Sequence, residues 1–437
     1  MKKIAFVLAF AIVMLAIVGG ISKLVFSGDG EDPLSENTAF SPGVFVLAAR
    51  SGMAKTGIRG SALTFDRADF SRALNVSRVS EITFTSVPSA AEGKLLVGNT
   101  VISSGQTVSG SNLSLISFRA ASPSVTRATF SFSPDGEAYE IECALYFLDE
   151  INYAPTVSIA SAVSLDVSTY ENVTHYGKLS AYDPDGDDCI FEIVSMPKNG
   201  IVVLSDEVSG EYLYVPEEGY VGKDKFSYIA RDKYGNYSAS AEVNVSVSRT
   251  SLASSFSDMQ DSSAHAAAIK LTEKGIMSGT SIGDGYYFQP DTAVSRSEFV
   301  VLAMQSLGIK EVNSLRVTDF ADDADIPETM RGYVAAAYEL EYINGVMLEG
   351  ERYFLPNKGI TRAEAAVIVG RMLEVATPTV TPNISDKEEI PAFAESSVYS
   401  LCSLGVLETE GGEIRASEVM SRADTAKMLS AMMSIAE

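Results

Sequence analysis

The sequence predicts a multidomain chain in which two all-β sandwiches stand in series ahead of three copies of a helical unit. Three observations predict it. From about residue 40 to residue 248, short β-branched and aromatic runs alternate with Gly, Pro, Asn, Asp and Ser, the texture of strands and turns. A segment led by Ser-x-Pro occurs twice within that stretch, at Ser86-Val87-Pro88 and Ser195-Met196-Pro197. Asp258, Asp322 and Asp386 then stand 64 residues apart, each opening the same succession of patterns, and a period this long means a copied supersecondary unit.

Composition narrows the function classes. The 437 residues are 46% hydrophobic and 21% charged, ordinary for a chain that buries real cores. Lys and Arg number 33 against 57 Asp and Glu, a formal net charge of -24. That field repels phosphate backbones and anionic lipid surfaces, so no nucleic-acid partner is expected and an anionic ligand needs a local Arg or Lys. Cys143, Cys189 and Cys402 are scattered singly, which supports neither a disulfide framework nor a zinc cluster. His175 and His265 are the only histidines, too few for the usual His-based acid–base and nucleophilic schemes. The chain is therefore expected not to be an enzyme and to need no cofactor, with calcium in the second β module left open. A carbohydrate-active enzyme using a carboxylate pair in the first β module stands as an alternative.

At the N-terminus, Lys2 and Lys3 precede a low-polarity run from Ile4 to Ile21, closed by Ser22 and Lys23. Positive flank, apolar stretch and polar exit read as an export signal that enters the membrane at least during export. Residues 1–27 form a signal peptide or N-terminal anchor, cleaved or retained, and residues 28–40 a linker. Either outcome puts the remainder outside the cell.

The β modules are expected over residues 41–150 and 151–250. In the first, Gly93 leads into Lys94–Val97, and strands follow over Leu113–Phe118 and Ala128–Phe132. In the second, Gly200 leads into Ile201–Leu204, followed by Tyr212–Val215 and Phe226–Ile229. Asn152-Tyr153-Ala154-Pro155 is the joint. Through Asp183-Pro184-Asp185-Gly186-Asp187, Tyr214-Val215-Pro216, Tyr220-Val221-Gly222-Lys223-Asp224 and Asp232-Lys233-Tyr234-Gly235, the second module resembles bacterial Ig-like or cadherin-like extracellular repeats. Asp183, Asp185 and Asp187, with Asp188, are candidate calcium ligands, since hard cations take several carboxylate oxygens; a solvated β-turn is the alternative. The spacing is not that of an EF-hand.

The helical units are expected over residues 251–310, 311–378 and 379–437. After each Asp comes an apolar helix-like run (Ala267–Leu271, Val334–Leu340, Val398–Leu404) that ends in Gly275-Ile276-Met277-Ser278-Gly279, Glu341-Tyr342-Ile343-Asn344-Gly345 or Gly405-Val406-Leu407. Phe288-Gln289-Pro290, Phe354-Leu355-Pro356 and the eroded Ile414-Arg415-Ala416 follow. Ser295-Arg296-Ser297-Glu298 and Thr361-Arg362-Ala363-Glu364 are capping boxes, and Ser421-Arg422-Ala423-Asp424 is a weaker third. Phe299, Leu302 and Leu307, then Val367, Ile368 and Met372, then Met428, Leu429 and Met432 share helix faces and belong to the core.

These recurring elements resemble the S-layer homology (SLH) family. The resemblance implies an all-α, pseudo-threefold helical bundle whose grooves bind secondary cell-wall polysaccharide, often through a pyruvylated sugar. Such binding fixes a protein noncovalently to the bacterial wall, with self-association in a surface layer a further implication. Arg296, Arg362 and Arg422 fall at N1 of capped helices, where a guanidinium can meet a carboxylate bidentately beside a positive helix end. The expected binding residues are these three with Asp258, Asp322, Asp386, Gly279 and Gly345. A structural salt bridge from each Arg to a first-helix Asp, and N-capping by the aspartates, are the alternatives. Two departures stand out: the family's Trp slots hold Ser263, Thr329 and Phe393, and Glu341 occupies a glycine position. His265 reads as a helix-surface residue and Cys402 as a small core residue. The whole is expected to be a surface protein held by its C-terminal repeats, with the β modules as spacers, adhesive domains or lattice-forming part. A calcium-stiffened adhesin that binds a protein or glycan is the other alternative.

Overall fold

The computed structural model describes residues 52–74, 76–134, 139–157, 166–252, 255–311, 317–378 and 382–436. The expected export segment and linker lie outside them. Among the described residues no helix is long and apolar enough to cross a membrane.

The first module contains β1 (Met53–Ile58), β2 (Leu63–Thr64), α1 (Arg67–Ala73), β3 (Glu81–Ser86), β4 (Gly93–Val97), β5 (Thr100–Val101), β6 (Thr107–Ser109), β7 (Ile116–Ala120), β8 (Arg127–Pro134) and β9 (Ile141–Leu148). One sheet runs β1-β9-β8-β3-β6 and the other β2-β7-β4-β5. Alternation on β9 buries Ile141, Cys143, Leu145 and Phe147 and turns the residues between them outward, as a half-wet strand requires. Phe65, Phe70, Phe84, Phe130 and Phe132 fill the core with ring centroids 5.4–6.2 Å apart. The short helix α1 starts at a closed capping box between Asp66 and Asp69. Leu113–Leu115, expected as strand, forms a 3-10 turn that plugs Leu113 into the core.

The second module has β10 (Asp166–Tyr170), β11 (His175–Lys178), β12 (Ile190–Ser195), β13 (Gly200–Asp206), β14 (Glu211–Pro216), β15 (Gly222–Arg231) and β16 (Ala241–Ser248). Its sheets run β10-β16-β15-β12 and β11-β14-β13. Removing α1, β5 and β6 from the first module leaves the same strand order, including the parallel first and last strands (β1 with β9, β10 with β16). The repeated Ser-x-Pro segments thus mark equivalent β3–β4 and β12–β13 connections. The loop after β15 rests on the first module: Tyr234 meets Tyr146 edge-on at 5.2 Å, and a Cβ at Gly235 would lie 2.0 Å from the Ala54 carbonyl oxygen. At the other end Val173 joins the core of the helical units, and the Tyr170 hydroxyl donates to Glu273 at 2.9 Å.

The helical units are built from α2 (His265–Glu273) and α3 (Arg296–Ser306), then α4 (Glu328–Glu339) and α5 (Arg362–Met372), then α6 (Glu395–Ser403) and α7 (Arg422–Ala436). They are not all-α. A hairpin, β17 (Thr280–Ile282) with β18 (Gly285–Tyr287), separates the helices of the first unit, and β19 (Val346–Leu348) with β20 (Glu351–Tyr353) those of the second. Three-residue, largely exposed strands bury too little to impose a readable period. Helices pack cyclically across units, α3 on α4, α5 on α6 and α7 back on α2, around a shared apolar core. The turn after each first helix needs a left-handed residue. Gly275 and Gly405 supply it at φ 70°, and Glu341 adopts it at φ 60°, a conformation unfavourable for a residue with a Cβ.

Candidate functional site

The starts of α3, α5 and α7 converge at the centre of the three units. Short bridges join Ser295 to Gly359, Thr361 to Val419, and Ala293 to Ser421. All three capping boxes close there. Ser295 and Thr361 exchange bonds with Glu298 and Glu364. Ser421 does the same with Asp424, at 3.1 Å in both directions, so the shorter carboxylate still reaches.

Each of the three arginines ties its own unit to the next. Arg296 Nε donates to the Phe354 carbonyl at 2.9 Å, and its Nη1 lies 3.2 Å from Glu364. Arg362 Nε and Nη2 donate to the carbonyls of Ile414 and Glu408, both at 2.6 Å, while its Nη1 lies 3.4 Å from Asp424. Arg422 closes the ring, donating to Phe288 at 2.9 Å and Ser278 at 2.7 Å. The expected salt bridge to a first-helix Asp does not form. For Arg296 and Arg362 the acidic partner is the N3 carboxylate of the next unit's capping box, whereas Arg422 donates to carbonyls. The N1 and N2 amides of these helices are also engaged: those of Arg296 and Ser297 donate to Lys358 and Pro356, with equivalent pairs at α5 and α7. The helix ends therefore spend their first free donors on the junction.

The guanidinium-bearing side chains of Arg296 and Arg362 are 8% exposed, whereas Arg422 is only half-buried. Burial lowers the Arg422 pKa against the opposing pull of Glu298 and Asp258. Burial also works to raise Glu364, but the Thr361 amide, Arg296 and Lys358 outweigh it and hold the carboxyl below its usual range.

Asp322 and Asp386 stand at the N-cap position of short 3-10 turns, but their side chains make no capping bond there, and the carboxylates of all three aspartates are used elsewhere. Each reaches about 30 residues along the chain to the Phe-x-Pro segment and accepts two consecutive amides with its two oxygens. The distances are 2.8 and 2.7 Å in every copy: Phe288 and Gln289, Phe354 and Leu355, Ile414 and Arg415. The second residue of each pair is left-handed, Gln289 at φ 60°, Leu355 at 63° and Arg415 at 52°. The carboxylate thus holds a strained turn whose carbonyl side receives the arginine. Gly279 and Gly345 are positions of close packing: a Cβ would lie 2.7 Å from Phe256 at the first and 2.6 Å from Phe320 at the second.

Beside the Arg422 junction runs an open groove of about 450 Å³, lined by Asp258, Gln260, Asp261, Ser262, Pro290 and Asp291 among others. A narrower cleft touches Arg362, Glu408 and Lys427. Of the Trp slots, Ser263 and Thr329 are exposed and Phe393 presents a ring that is 66% exposed. His265, expected on the surface, is buried against Phe256, and burial depresses its pKa. Cys402 packs partly buried against the core.

Of the expected calcium ligands, Asp183 and Asp187 come together, but Asp185 turns away to the linker, accepting from the Tyr153 amide at 2.6 Å. The third carboxylate of the cluster is Asp232, which sequence spacing could not supply because it lies 45 residues beyond Asp187.

The family described as S-layer homology domain matches residues 255–300 and 319–366. The chain carries S-layer homology domains. The third unit repeats their aspartate clamp and arginine tie. A bacterial Ig domain matches residues 152–247, which is the second β module. An amylopullulanase of Thermoanaerobacterium thermosulfurigenes is 35% identical over 123 residues, 27% of this chain and 6% of that protein. Exoglucanase XynX of Acetivibrio thermocellus is also 35% identical over 123 residues, 27% of this chain and 11% of that one. The chain thus spans about a tenth or less of these relatives. Among solved structures, the fibronectin(III)-like modules of Clostridium thermocellum CbhA overlap 47% of this chain and 95% of theirs at 17% identity and a TM-score of 0.21, too low to carry an argument. The S-layer homology domains make this an extracellular protein of the cell wall or surface.

Proposed function

We propose that the protein is a non-enzymatic surface protein whose S-layer homology domains grip secondary cell-wall polysaccharide. On this reading the junction between the first and third units is the principal binding groove and the β modules act as spacers. The observation that carries the assignment is the accessibility of Arg422. Its two counterparts are sealed by neighbouring carbonyls and carboxylates, whereas Arg422 is half-buried and stands beside an open groove that its neighbour Ala423 lines. Carboxylates and hydroxyls along that groove suit sugar hydroxyls, and Arg422 is the local cation that a chain of net charge -24 needs for an acidic substituent such as pyruvate. Phe393 does not line that groove; its exposed ring on the third unit offers a separate contact that can stack on a sugar face.

The test is retention of the full chain on purified walls. Arg422→Lys keeps the charge and removes the planar fork. It should weaken binding about ten- to a hundred-fold, the equivalent of ~1.5–3 kcal/mol for a charge-assisted bond, measured well below an unfolding midpoint that the lost ties to the Phe288 and Ser278 carbonyls lower. Undiminished retention of folded Arg422→Lys and Phe393→Ala variants contradicts the assignment.

A further inference from the structure

The acidic cluster in the second β module has a property that a solvated turn lacks. Asp183, Asp187 and Asp232 bring carboxylate oxygens within 4.8 Å of one another. Asp232 is fully buried and Asp183 only 5% exposed. Asp183 Oδ1 is occupied by the amides of Asp185 at 2.9 Å and Asp187 at 3.2 Å. Its Oδ2 is buried with no partner at all. A buried, unpaired carboxylate oxygen among two other carboxylates is costly, and such oxygens are normally paired or bound to metal.

The charges in the cluster do not balance. The nearby cation is Lys233, which reaches Asp187 Oδ1 at 2.8 Å from a largely exposed position. Three carboxylates against one ammonium leave two negative charges uncompensated. Burial raises the Asp232 pKa, and the negative charge of Asp183 adds to that rise against the Asn236 and Tyr234 bonds that lower it.

Placement supplies the consequence. Asp187 Oδ2 accepts from Asn152 Nδ2 at 2.9 Å, and Asn152 Oδ1 accepts from Asn236 Nδ2 at 2.5 Å. Asn236 also donates to Asp232 at 2.8 Å. The cluster therefore gathers the turn at 183–187, the loop at 232–236 and the linker residue Asn152. That loop carries Tyr234 and Gly235, which rest on the first module.

We propose that Asp183, Asp187 and Asp232 form a calcium site that braces the joint between the two β modules. The donors are oxygen only and lie on adaptable loops, which suits calcium better than the stricter octahedron of magnesium, and extracellular modules bind it with Kd of about 10⁻⁴–10⁻³ M.

The full chain, stripped with EDTA, is titrated with Tb³⁺ under tyrosine excitation and then with Ca²⁺, and its unfolding is followed with and without about 2 mM Ca²⁺, just above the affinity range given. The site predicts sensitised emission displaced by Ca²⁺ and a higher unfolding midpoint with Ca²⁺. Asp187→Asn and Asp232→Asn should weaken binding tenfold or more and abolish the midpoint shift, while being no less stable than the parent in EDTA because a repulsion has been relieved. Should Asp232→Asn fail to fold, the half-buried Asp187→Asn decides alone. A parent that ignores Ca²⁺, a response to Mg²⁺ only, or variants that keep the full shift overturns the proposal.

Discussion

Asp322→Ala separates a structural from a ligand-binding aspartate. Asp322 is 9% exposed, and its carboxylate accepts from the amides of Phe354 and Leu355 at 2.8 and 2.7 Å. Each charge-assisted bond contributes about 1.5–3 kcal/mol, and truncation leaves both amides without their acceptor. Leu355 stands at φ 63°, a left-handed conformation that costs about 1–2 kcal/mol and relaxes once the clamp is gone. Part of each loss is recovered by that relaxation and by water, so the expected destabilisation is about 3–5 kcal/mol in the transition that reports the helical units. Asp322→Asn, which keeps one acceptor, should lose about half of that. Urea unfolding followed by tyrosine fluorescence suits a chain with 0 Trp. A change below about 1 kcal/mol for Asp322→Ala would refute the clamp. Loss of wall binding by a variant of parental stability would instead return Asp322 to the ligand.

Three further outcomes are expected. Arg362→Met removes three inter-unit bonds and strands Asp424 and two carbonyls; it should lower stability by about 3–5 kcal/mol by denaturant unfolding. Glu341→Gly relieves a φ of 60° and, after the added freedom of the unfolded glycine, should stabilise the fold by up to about 1 kcal/mol in the same assay. Burial pushes His175 down to about 4, with Glu408 acting the other way. Since the ordinary value is about 6.5, its contribution is complete above that pH and is lost as pH falls toward 4, about 3 kcal/mol in all. His175→Gln should flatten the fall of the unfolding midpoint between pH 6.5 and 4.

Much of this architecture could be read from residue patterns. The three capping boxes and the 64-residue period located every helical unit, and the two Ser-x-Pro segments identified sandwiches that prove to share one strand order. The aspartate clamp was hidden because its recipients are backbone amides some 30 residues away, and an amide leaves no mark in a sequence. Arginine at N1 looked available to an anion for the same reason: the carbonyls of Phe354, Ile414 and Phe288 that receive it carry no sequence signature. His265 was misplaced because the alanines after it make both helix faces look alike, and only packing against Phe256 distinguishes them. Asp232 joined the cation cluster through sheet topology, which brings the end of β15 beside the turn before β12.

Wall retention itself is the most direct measurement. Full-length protein is mixed with walls that carry their secondary polysaccharide and with walls from which it has been extracted, and the sedimented fraction is compared. The account predicts saturable retention on the first and little on the second; equal retention on both, or on neither, contradicts it.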